Sequence, residues 1–300
     1  TGTANVAVGA EALDANTTAS NNVAVGKATL GANTTGEQNT AVGSKALDAN
    51  TTADSNTAVG YDAATALTTG GYNVALGDSA LKASTTGVNN VAIGYQTLNN
   101  STDKFANTAI GYRACKNNNS NYGVFIGDRS AANGIVSGEK NVAVGHYTLY
   151  SLTTGAYNTA LGANALSGNT TASVNTAIGY NALGVNSTGT YNVAIGANAL
   201  DANTTANNNI AVGYNAMTAN TTGASNTALG SSALAASNGS SNVAVGDVSL
   251  YANTTGSNNT AVGTYSLYSN TTASNNTAVG YDALGDCTTG FSNVAVGHNA

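Results

Sequence analysis

The sequence predicts an all-β protein, a parallel β-solenoid (β-roll) of about 17 coils with a 17-residue repeat. The first observation is a motif, Asn-[Thr/Val]-Ala-[Val/Ile/Leu]-Gly, which recurs from one end of the chain to the other. The second is its spacing, because most of the motif glycines follow one another at the same interval, as Gly9, Gly26, Gly43 and Gly60 do. The third is the composition: only 7% of the residues are charged, Gly contributes 36 residues, and Pro and Trp are absent. Such a bias is typical of repeat proteins and not of an average globular domain.

The motif glycines divide the chain into coils of nearly constant length. They occupy 18 anchor positions and bound 17 intervals, of which 14 have the same length. Of the exceptions, the intervals 111–127 and 230–246 are one residue shorter, and the interval 127–145 is one residue longer. We therefore expect one continuous repeat array over residues 1–300, with irregular coils at about 101–140. Since no atypical capping unit is visible, we expect the array to be uncapped at both ends and to continue in a longer polypeptide or another chain.

Each motif predicts a short strand. The residue before the motif Ala is Val, Ile or Thr, the residue after it is Val, Ile or Leu, and the glycine ends the run. A second short extended piece is expected around the Leu that occupies the fourth position after most anchor glycines. Gly, Thr and Asn at fixed short intervals exclude a helix on propensity. We expect the branched residues and the Leu to fill the inside of each coil, and the motif Ala to face outward.

We expect the motif Asn and Gly to stabilise the turns of each coil. In a solenoid each sequence column becomes a ladder with a rise of about 4.8 Å per coil, so that 17 coils span roughly 80 Å. The Asn side chains can then pair their amides from coil to coil. The glycine is expected to have a positive φ or to approach another backbone closely. The structural Asn ladder comprises Asn5, Asn22, Asn39, Asn56, Asn73, Asn90, Asn107, Asn141, Asn158, Asn175, Asn192, Asn209, Asn226, Asn242, Asn259, Asn276 and Asn293.

The strand pattern also predicts self-association. Side chains alternate between the two faces of a strand, and neither face of the motif carries charge. A strand that is apolar on both faces is usually buried on both faces. One Leu and two branched residues per coil make a thin core, which association would extend. We therefore expect an oligomer of parallel copies side by side.

The motif resembles a known class of fibrous proteins. Asn-x-Ala-[Val/Ile]-Gly, with second halves punctuated by Ala and Gly, is similar to the β-roll head domains of trimeric autotransporter adhesins. The longer unit NTAVGYxALxxNTTGxxNTAVG resembles repeat arrays of bacteriophage tail-fibre and related virion fibre proteins, over essentially all 300 residues. The resemblance implies a left-handed roll, a homotrimer, and an extracellular location on a virion fibre or bacterial cell surface. This chain differs from the adhesin heads in its longer coil, which contains an additional Asn-Thr-Thr-[Gly/Ala] stretch.

The charge distribution argues against several partners. The net charge of −6 comes from 14 acidic and eight basic residues, which are mostly scattered singly. No basic stripe is available for nucleic acid, and no apolar run is long enough for membrane insertion of this segment. Cys115 and Cys287 lie too far apart in sequence to indicate a disulfide framework or a zinc site. We expect Cys115 to replace a core Leu and Cys287 to be exposed. An interchain disulfide is the alternative for these cysteines.

The sequence contains no recognisable catalytic, cofactor or metal motif. His146 and His298 both follow an anchor glycine, in a variable column that indicates a surface position. Acidic residues follow no column, unlike those of calcium-binding rolls. We expect no enzyme activity, no cofactor and no metal site.

Two features are candidates for contact with other molecules. Tyrosines recur after the anchor glycine, where they can bind a sugar or, alternatively, shield an edge or pack at an interface. The irregular stretch from residue 101 to residue 140 holds five of the eight basic residues, including Arg129, and is either a functional protrusion or a local bulge. The candidates for surface contact are Tyr61, Tyr95, Tyr112, Tyr180, Tyr214, Tyr281 and Arg129.

Two functions are consistent with this pattern. The first is a structural or adhesive fibre segment, a stiff rod in a phage tail fibre or bacterial adhesin that displays or contributes to binding of a host receptor or surface glycan. The alternative is an ice-binding solenoid that orders water on ladders of Thr. The adjacent threonines of each Thr-Thr pair should point to opposite sides, which weakens the alternative.

Overall fold

A computed structural model describes residues 2–300, and the chain forms two compact units, Thr1–Thr154 and Gly155–Ala300. Each unit contains nine short strands, and the described residues contain no helix. The first unit has β1 (Val6–Val8), β2 (Val23–Val25), β3 (Thr40–Val42), β4 (Thr57–Val59), β5 (Val74–Leu76), β6 (Val91–Ile93), β7 (Thr108–Ile110), β8 (Val124–Ile126) and β9 (Val142–Val144). The second unit has β10 (Thr159–Leu161), β11 (Thr176–Ile178), β12 (Val193–Ile195), β13 (Ile210–Val212), β14 (Thr227–Leu229), β15 (Val243–Val245), β16 (Thr260–Val262), β17 (Thr277–Val279) and β18 (Val294–Val296).

Within each unit every strand pairs in parallel with the next strand along the chain. The pairing keeps the motif in register, so that Ala41 lies between Ala24 and Ala58. Each coil therefore returns the chain to the same position one strand further along the axis. The prediction of an all-β parallel solenoid built from this repeat is confirmed in each unit.

Coils of unusual length keep the strand register. Thr108 pairs with Val124 across a coil that is one residue shorter than the regular repeat, and Val124 pairs with Val142 across a coil that is one residue longer. Thr227 likewise pairs with Val243 across a shortened coil. The turns absorb the missing and additional residues, and in the first unit an isolated parallel bridge joins Asn118 to Val136.

The inside of each coil contains the expected Leu, but the other residues there differ from those expected. The motif Ala is buried in every strand from β2 to β17, apart from β8, where Phe125 takes its place and is also buried. No residue on either side of the motif Ala is buried, and Leu229, for example, is 48% exposed. The prediction that the branched residues point inward and Ala outward was therefore wrong, whereas the Leu is inside as expected. We call the two outward columns, the residues one and three positions before each anchor glycine, the outer strand face.

The Leu region is a series of corners and not a second strand. In the coil that starts at Gly43, Lys45 has a φ of 60° and Leu47 a φ of 51°, both left-handed. These residues still bond to neighbouring coils, because Lys45 N donates to Lys27 O (2.9 Å) and Leu47 N donates to Ala63 O (3.0 Å). A non-glycine left-handed residue costs about 1–2 kcal/mol. The coil-to-coil hydrogen bonds and the burial of Leu47 offset that cost.

The anchor glycines have both properties that were expected of them. Gly43 has a φ of 132°, and a Cβ at this position would lie 2.4 Å from the carbonyl oxygen of Gly60 in the next coil. No other residue type tolerates this combination of backbone conformation and close approach.

The motif Asn side chains connect three backbone segments. Asn39 Oδ1 accepts from Asn56 N (2.9 Å), and Asn39 Nδ2 donates to Ala53 O (2.8 Å). A direct amide pair accompanies this pattern at some positions, such as Asn73 Nδ2 to Asn56 Oδ1 (3.1 Å). The ladder therefore satisfies backbone groups of the turns as well as pairing amides.

Candidate functional site

Tyrosine rings form contacts where successive coils present them side by side. Tyr95 and Tyr112 follow neighbouring anchor glycines, and their rings stack with centroids 5.4 Å apart and planes 13° apart. Tyr61, Tyr180 and Tyr214 have non-aromatic residues in the same column of the adjacent coils. These three are more than half exposed, and in the described part of the chain none has a ring neighbour.

Two arginines extend the Tyr95–Tyr112 stack in the irregular coils. The guanidinium of Arg113 lies 5.1 Å from the ring centroid of Tyr112, and that of Arg129 lies 5.6 Å from it. Arg129 is also 5.6 Å from the ring centroid of Tyr147 and donates a hydrogen bond to the Tyr147 hydroxyl. Such cation–π contacts are each worth about 0.5–1 kcal/mol at exposed sites. We call Tyr95, Tyr112, Arg113, Arg129 and Tyr147 the basic aromatic cluster.

The second unit carries a neutral counterpart. Tyr251 and Tyr268 stack at 5.4 Å with planes 9° apart, and Tyr265 contacts both Tyr268 and Tyr281. Tyr281 in turn stacks on His298 at 5.1 Å. We call these five residues the neutral aromatic cluster. Of this group only Tyr281 was predicted from the sequence as a contact residue, although the shared columns of successive coils were a signal that could have identified the others.

The structure thus brings together three of the seven predicted contact residues. Tyr95, Tyr112 and Arg129 belong to the basic aromatic cluster, and Tyr281 belongs to the neutral one. Arg113 and Tyr147 were not selected from the sequence. Both occupy the second position after an anchor glycine, where a left-handed backbone holds the side chain beside the Tyr column.

The outer strand face is the second extended surface of each unit. It presents one Val, Ile or Leu and one Val, Ile or Thr per coil, and it carries no charged residue. Val42, Leu76 and Leu161 are 36%, 43% and 47% exposed. Apolar side chains that are repeated on every coil form a contiguous patch, and patches of this kind mark interaction sites.

Charged side chains also form contacts outside the basic aromatic cluster. Lys82 Nζ lies 2.8 Å from Asp62 Oδ2, and this hydrogen bond raises the pKa of Lys82. His146 Nε2 lies 3.4 Å from Asp128 Oδ2, and its ring packs against Tyr147. Among residues 2–300 no group of three or more His, Cys, Asp or Glu side chains is arranged to hold a metal ion.

The two cysteines differ in their surroundings. Cys115 is buried in the Leu column, as expected, and burial raises the pKa of its thiol well above the usual range. Cys287 is half-buried, not exposed as predicted, and its Sγ lies 3.5 Å from Gly290 O. The column that contains Cys287 is occupied by buried Asn in most coils, which explains why it points inward.

A search of residues 2–300 for an apolar helix of membrane-spanning length finds none. In comparisons with known proteins, no family model and no curated protein matches the chain.

Proposed function

We propose that the chain is a structural and adhesive fibre segment of an extracellular assembly, either a phage tail fibre or a bacterial surface adhesin. In this proposal each copy is a left-handed roll, and parallel copies associate as a homotrimer that holds or extends a surface for binding a host receptor or glycan. The observation that carries the proposal is the outer strand face, which exposes two uncharged columns of branched side chains on every coil. Burial of such a face gives about 25 cal/mol for each Å² of apolar surface removed from water.

The hydrogen-bond ladders support a mechanical role. Within each unit, successive coils are bonded through the strands, the corners and the Asn side chains, for example from Thr40 N to Asn56 O (2.8 Å) and from Gly43 N to Val25 O (2.8 Å). Bending or local opening would have to break several of these bonds together. A proteolytic site also needs a segment of unpaired, exposed backbone, and the regular coils offer few such segments.

The exposed aromatic residues support a role in adhesion. Rings that project from a surface with few charges can lie against the apolar faces of sugars, and their hydroxyls can bond to sugar hydroxyls. Isolated residues such as Tyr61 and the two aromatic clusters provide such rings on several coils.

Electron microscopy of end-labelled protein tests this proposal. The purified chain is tagged at its N-terminus, labelled with gold and imaged as single particles. We expect three gold particles at one end of each assembly, because the copies are parallel. Particles with one label, or with labels at both ends, would contradict the proposed arrangement.

One observation also favours the ice-binding alternative. Thr18, Thr35, Thr52, Thr69 and Thr86 form an exposed column over five successive coils. However, the preceding threonines use their hydroxyls within the chain, as when Thr34 Oγ1 donates to Thr51 O (3.0 Å). This leaves one Thr column and not a two-dimensional array. A thermal-hysteresis assay that shows shaped ice crystals would favour this function over the fibre.

A further inference from the structure

A cavity of about 420 Å³ opens beside the basic aromatic cluster. It spans the coils that start at Gly111, Gly127 and Gly145, all within the first unit. Its volume falls within the range of about 300–1,000 Å³ that is usual for small-ligand pockets. The lining side chains that can contact a ligand are Arg113, Lys116, Asn117, Arg129, Asn133 and Tyr150.

The cavity concentrates positive charge in a chain whose net charge is −6. Arg113, Lys116 and Arg129 line it, and no carboxylate does. The ion pairs of Lys82 with Asp62 and of His146 with Asp128 involve other side chains. The three cations of the cavity therefore form no ion pair with a carboxylate of the described chain.

The two arginines are held in place by contacts that leave donors free. Arg113 Nε donates to Gln96 Oε1 (3.2 Å), and its guanidinium lies beside the ring of Tyr112. Arg129 lies between the rings of Tyr112 and Tyr147. A guanidinium has five N–H donors, so each arginine retains several for a ligand. Because contacts within the protein already restrict these side chains, a ligand would lose little of its binding energy to ordering them.

The three cations occupy two sequence columns, the second and fifth positions after the anchor glycine, whose charge differs between the irregular coils and the other coils. In other coils these columns carry both signs of charge: the second position after the anchor glycine includes Lys45 as well as Asp62 and Asp282, and the fifth includes Lys82 as well as Asp48 and Asp201. In the irregular coils the same two columns contain Arg113, Arg129 and Lys116. The irregular stretch therefore differs from the rest of the array in chemistry as well as in length.

We propose that this cavity binds a carboxylate-bearing saccharide unit of an acidic polysaccharide. An arginine fork matches a carboxylate with two parallel hydrogen bonds, and Lys116 adds a third cation. Asn117 and Asn133 offer amides for the sugar hydroxyls, and the Tyr150 ring offers an apolar face for the sugar ring. The inference deepens the adhesive role proposed above and rests on it.

A nucleic acid fits these observations less well. Nucleic-acid binding depends on a stripe of cations that follows many phosphates. The cavity has its three cations at one place and not along a stripe.

Isothermal titration calorimetry with oligosaccharides tests the proposal. The probe is a polygalacturonate hexasaccharide, the neutral comparison is maltohexaose, and a short single-stranded DNA is the second anion. We expect wild-type protein to bind the acidic hexasaccharide with an affinity that falls as salt is added, and to bind the other two at least tenfold more weakly. Equal binding of maltohexaose, or equal or tighter binding of the DNA, would overturn the proposal.

Matched variants locate the site. Arg113→Gln with Arg129→Gln should weaken hexasaccharide binding by about tenfold or more, because each removes a charged hydrogen-bond donor. The control variant combines Lys27→Gln with Lys45→Gln and changes the net charge by the same amount as the double arginine variant. Lys45 occupies the same column as the two arginines but lies outside the cavity, so the control should bind the hexasaccharide as wild type does. Lys116→Gln, a half-exposed side chain with no structural hydrogen bond, keeps the test valid if the double variant fails to fold, and it should also weaken binding. Unchanged binding by a folded arginine variant and by Lys116→Gln would refute the assignment.

The outcome can be separated from that of the fibre proposal. A trimer that binds no acidic hexasaccharide would refute only the cavity assignment. A monomer that binds it through Arg113 and Arg129 would refute only the trimeric fibre.

Discussion

At the scale of single residues, each motif Asn stabilises the fold because its side chain forms hydrogen bonds with several backbone groups. Asn56 is buried, its Oδ1 accepts from Asn73 N (2.9 Å), and its Nδ2 donates to Gly70 O (3.0 Å). We expect Asn56→Ala to lower the free energy of unfolding by about 2–4 kcal/mol, since two buried backbone groups lose their partners. Asn119→Ala, at an exposed position, is the control and should change it little. Urea unfolding of both variants provides the measurement, and equal midpoints would show that the ladder is not stabilising.

The anchor glycines lead to a second residue-scale prediction. Gly43→Ala would place a methyl group 2.4 Å from Gly60 O at a φ of 132°, so we expect a loss of at least about 3 kcal/mol. Gly31→Ala is the matched control, because its nearest neighbour is the movable Asp48 Oδ1 and other coils have side chains in its column. Thermal unfolding should separate the two variants clearly. Similar melting temperatures would mean that the close approach of successive glycines is not required.

The cysteines provide a third residue-scale prediction, on reactivity. Burial raises the pKa of the Cys115 thiol, so Cys115 should resist iodoacetamide at pH 8 in the folded protein, whereas Cys287 should react. In the unfolded chain Cys115 would ionise near its ordinary pKa of about 8.5. The folded state should therefore lose stability as the pH rises above that value. Peptide mass spectrometry measures the labelling, and equal modification of both cysteines in folded protein would contradict the burial of Cys115.

At the scale of a single coil, β8 shows how the core tolerates its one large exception. Phe125 replaces the motif Ala, and Gly123, two positions earlier, replaces the motif Asn. A Cβ on Gly123 would lie 2.2 Å from Phe125 Cε2, so the ring occupies the space that an Asn side chain would need. The two exceptions therefore compensate for each other.

This compensation predicts a rescue. Phe125→Ala alone should leave a cavity and cost about 3–5 kcal/mol, and Gly123→Asn alone should clash with the ring. The double variant restores the motif of the other coils and should recover most of the stability. Unfolding midpoints of the three variants measure this. The compensation would be ruled out if the double variant lost as much free energy of unfolding as the two single variants lose together.

The motif predicted the strand, its glycine and its register, but it could not predict which face is inside. Alternation places Ala41 and Val42 on opposite faces without ranking them. Side-chain size favoured Val as the core residue. The coil reverses that choice, because left-handed corners such as Leu47 fold each coil so tightly that Leu, Ala and Asn fill its interior. A left-handed Leu was not predictable from propensity, since tertiary packing and coil-to-coil hydrogen bonds stabilise it.

Only part of the candidate site could be predicted from the sequence. The Tyr column and the basic bias of residues 101–140 are visible in the sequence, and the stack of Tyr95 on Tyr112 follows from their spacing. The cavity depends on the second and fifth positions after the glycine lying beside each other across neighbouring coils. That proximity comes from the corner geometry and not from the strand pattern, so Arg113 and Lys116 were recognised as bases but not as parts of a site.

At the scale of the whole molecule, the central proposal is that the outer strand face joins copies of the chain. The core of each coil is thin, and the face that was expected to be inside remains in contact with solvent in the single chain. Association through this face would bury the branched side chains that remain exposed on the surface of the single chain.

Sedimentation velocity of wild-type protein and two variants tests this proposal most directly. Val25→Lys, Val42→Lys and Val59→Lys together place three charges on the outer strand face, and Thr18→Lys, Thr35→Lys and Thr52→Lys place three on an exposed turn column of the same unit. We expect wild type and the Thr variant to sediment as assemblies of three 29.3 kDa chains, and the Val variant as a folded single chain of 29.3 kDa. A wild-type protein that sediments as a single chain, or a Val variant that stays trimeric, would contradict it.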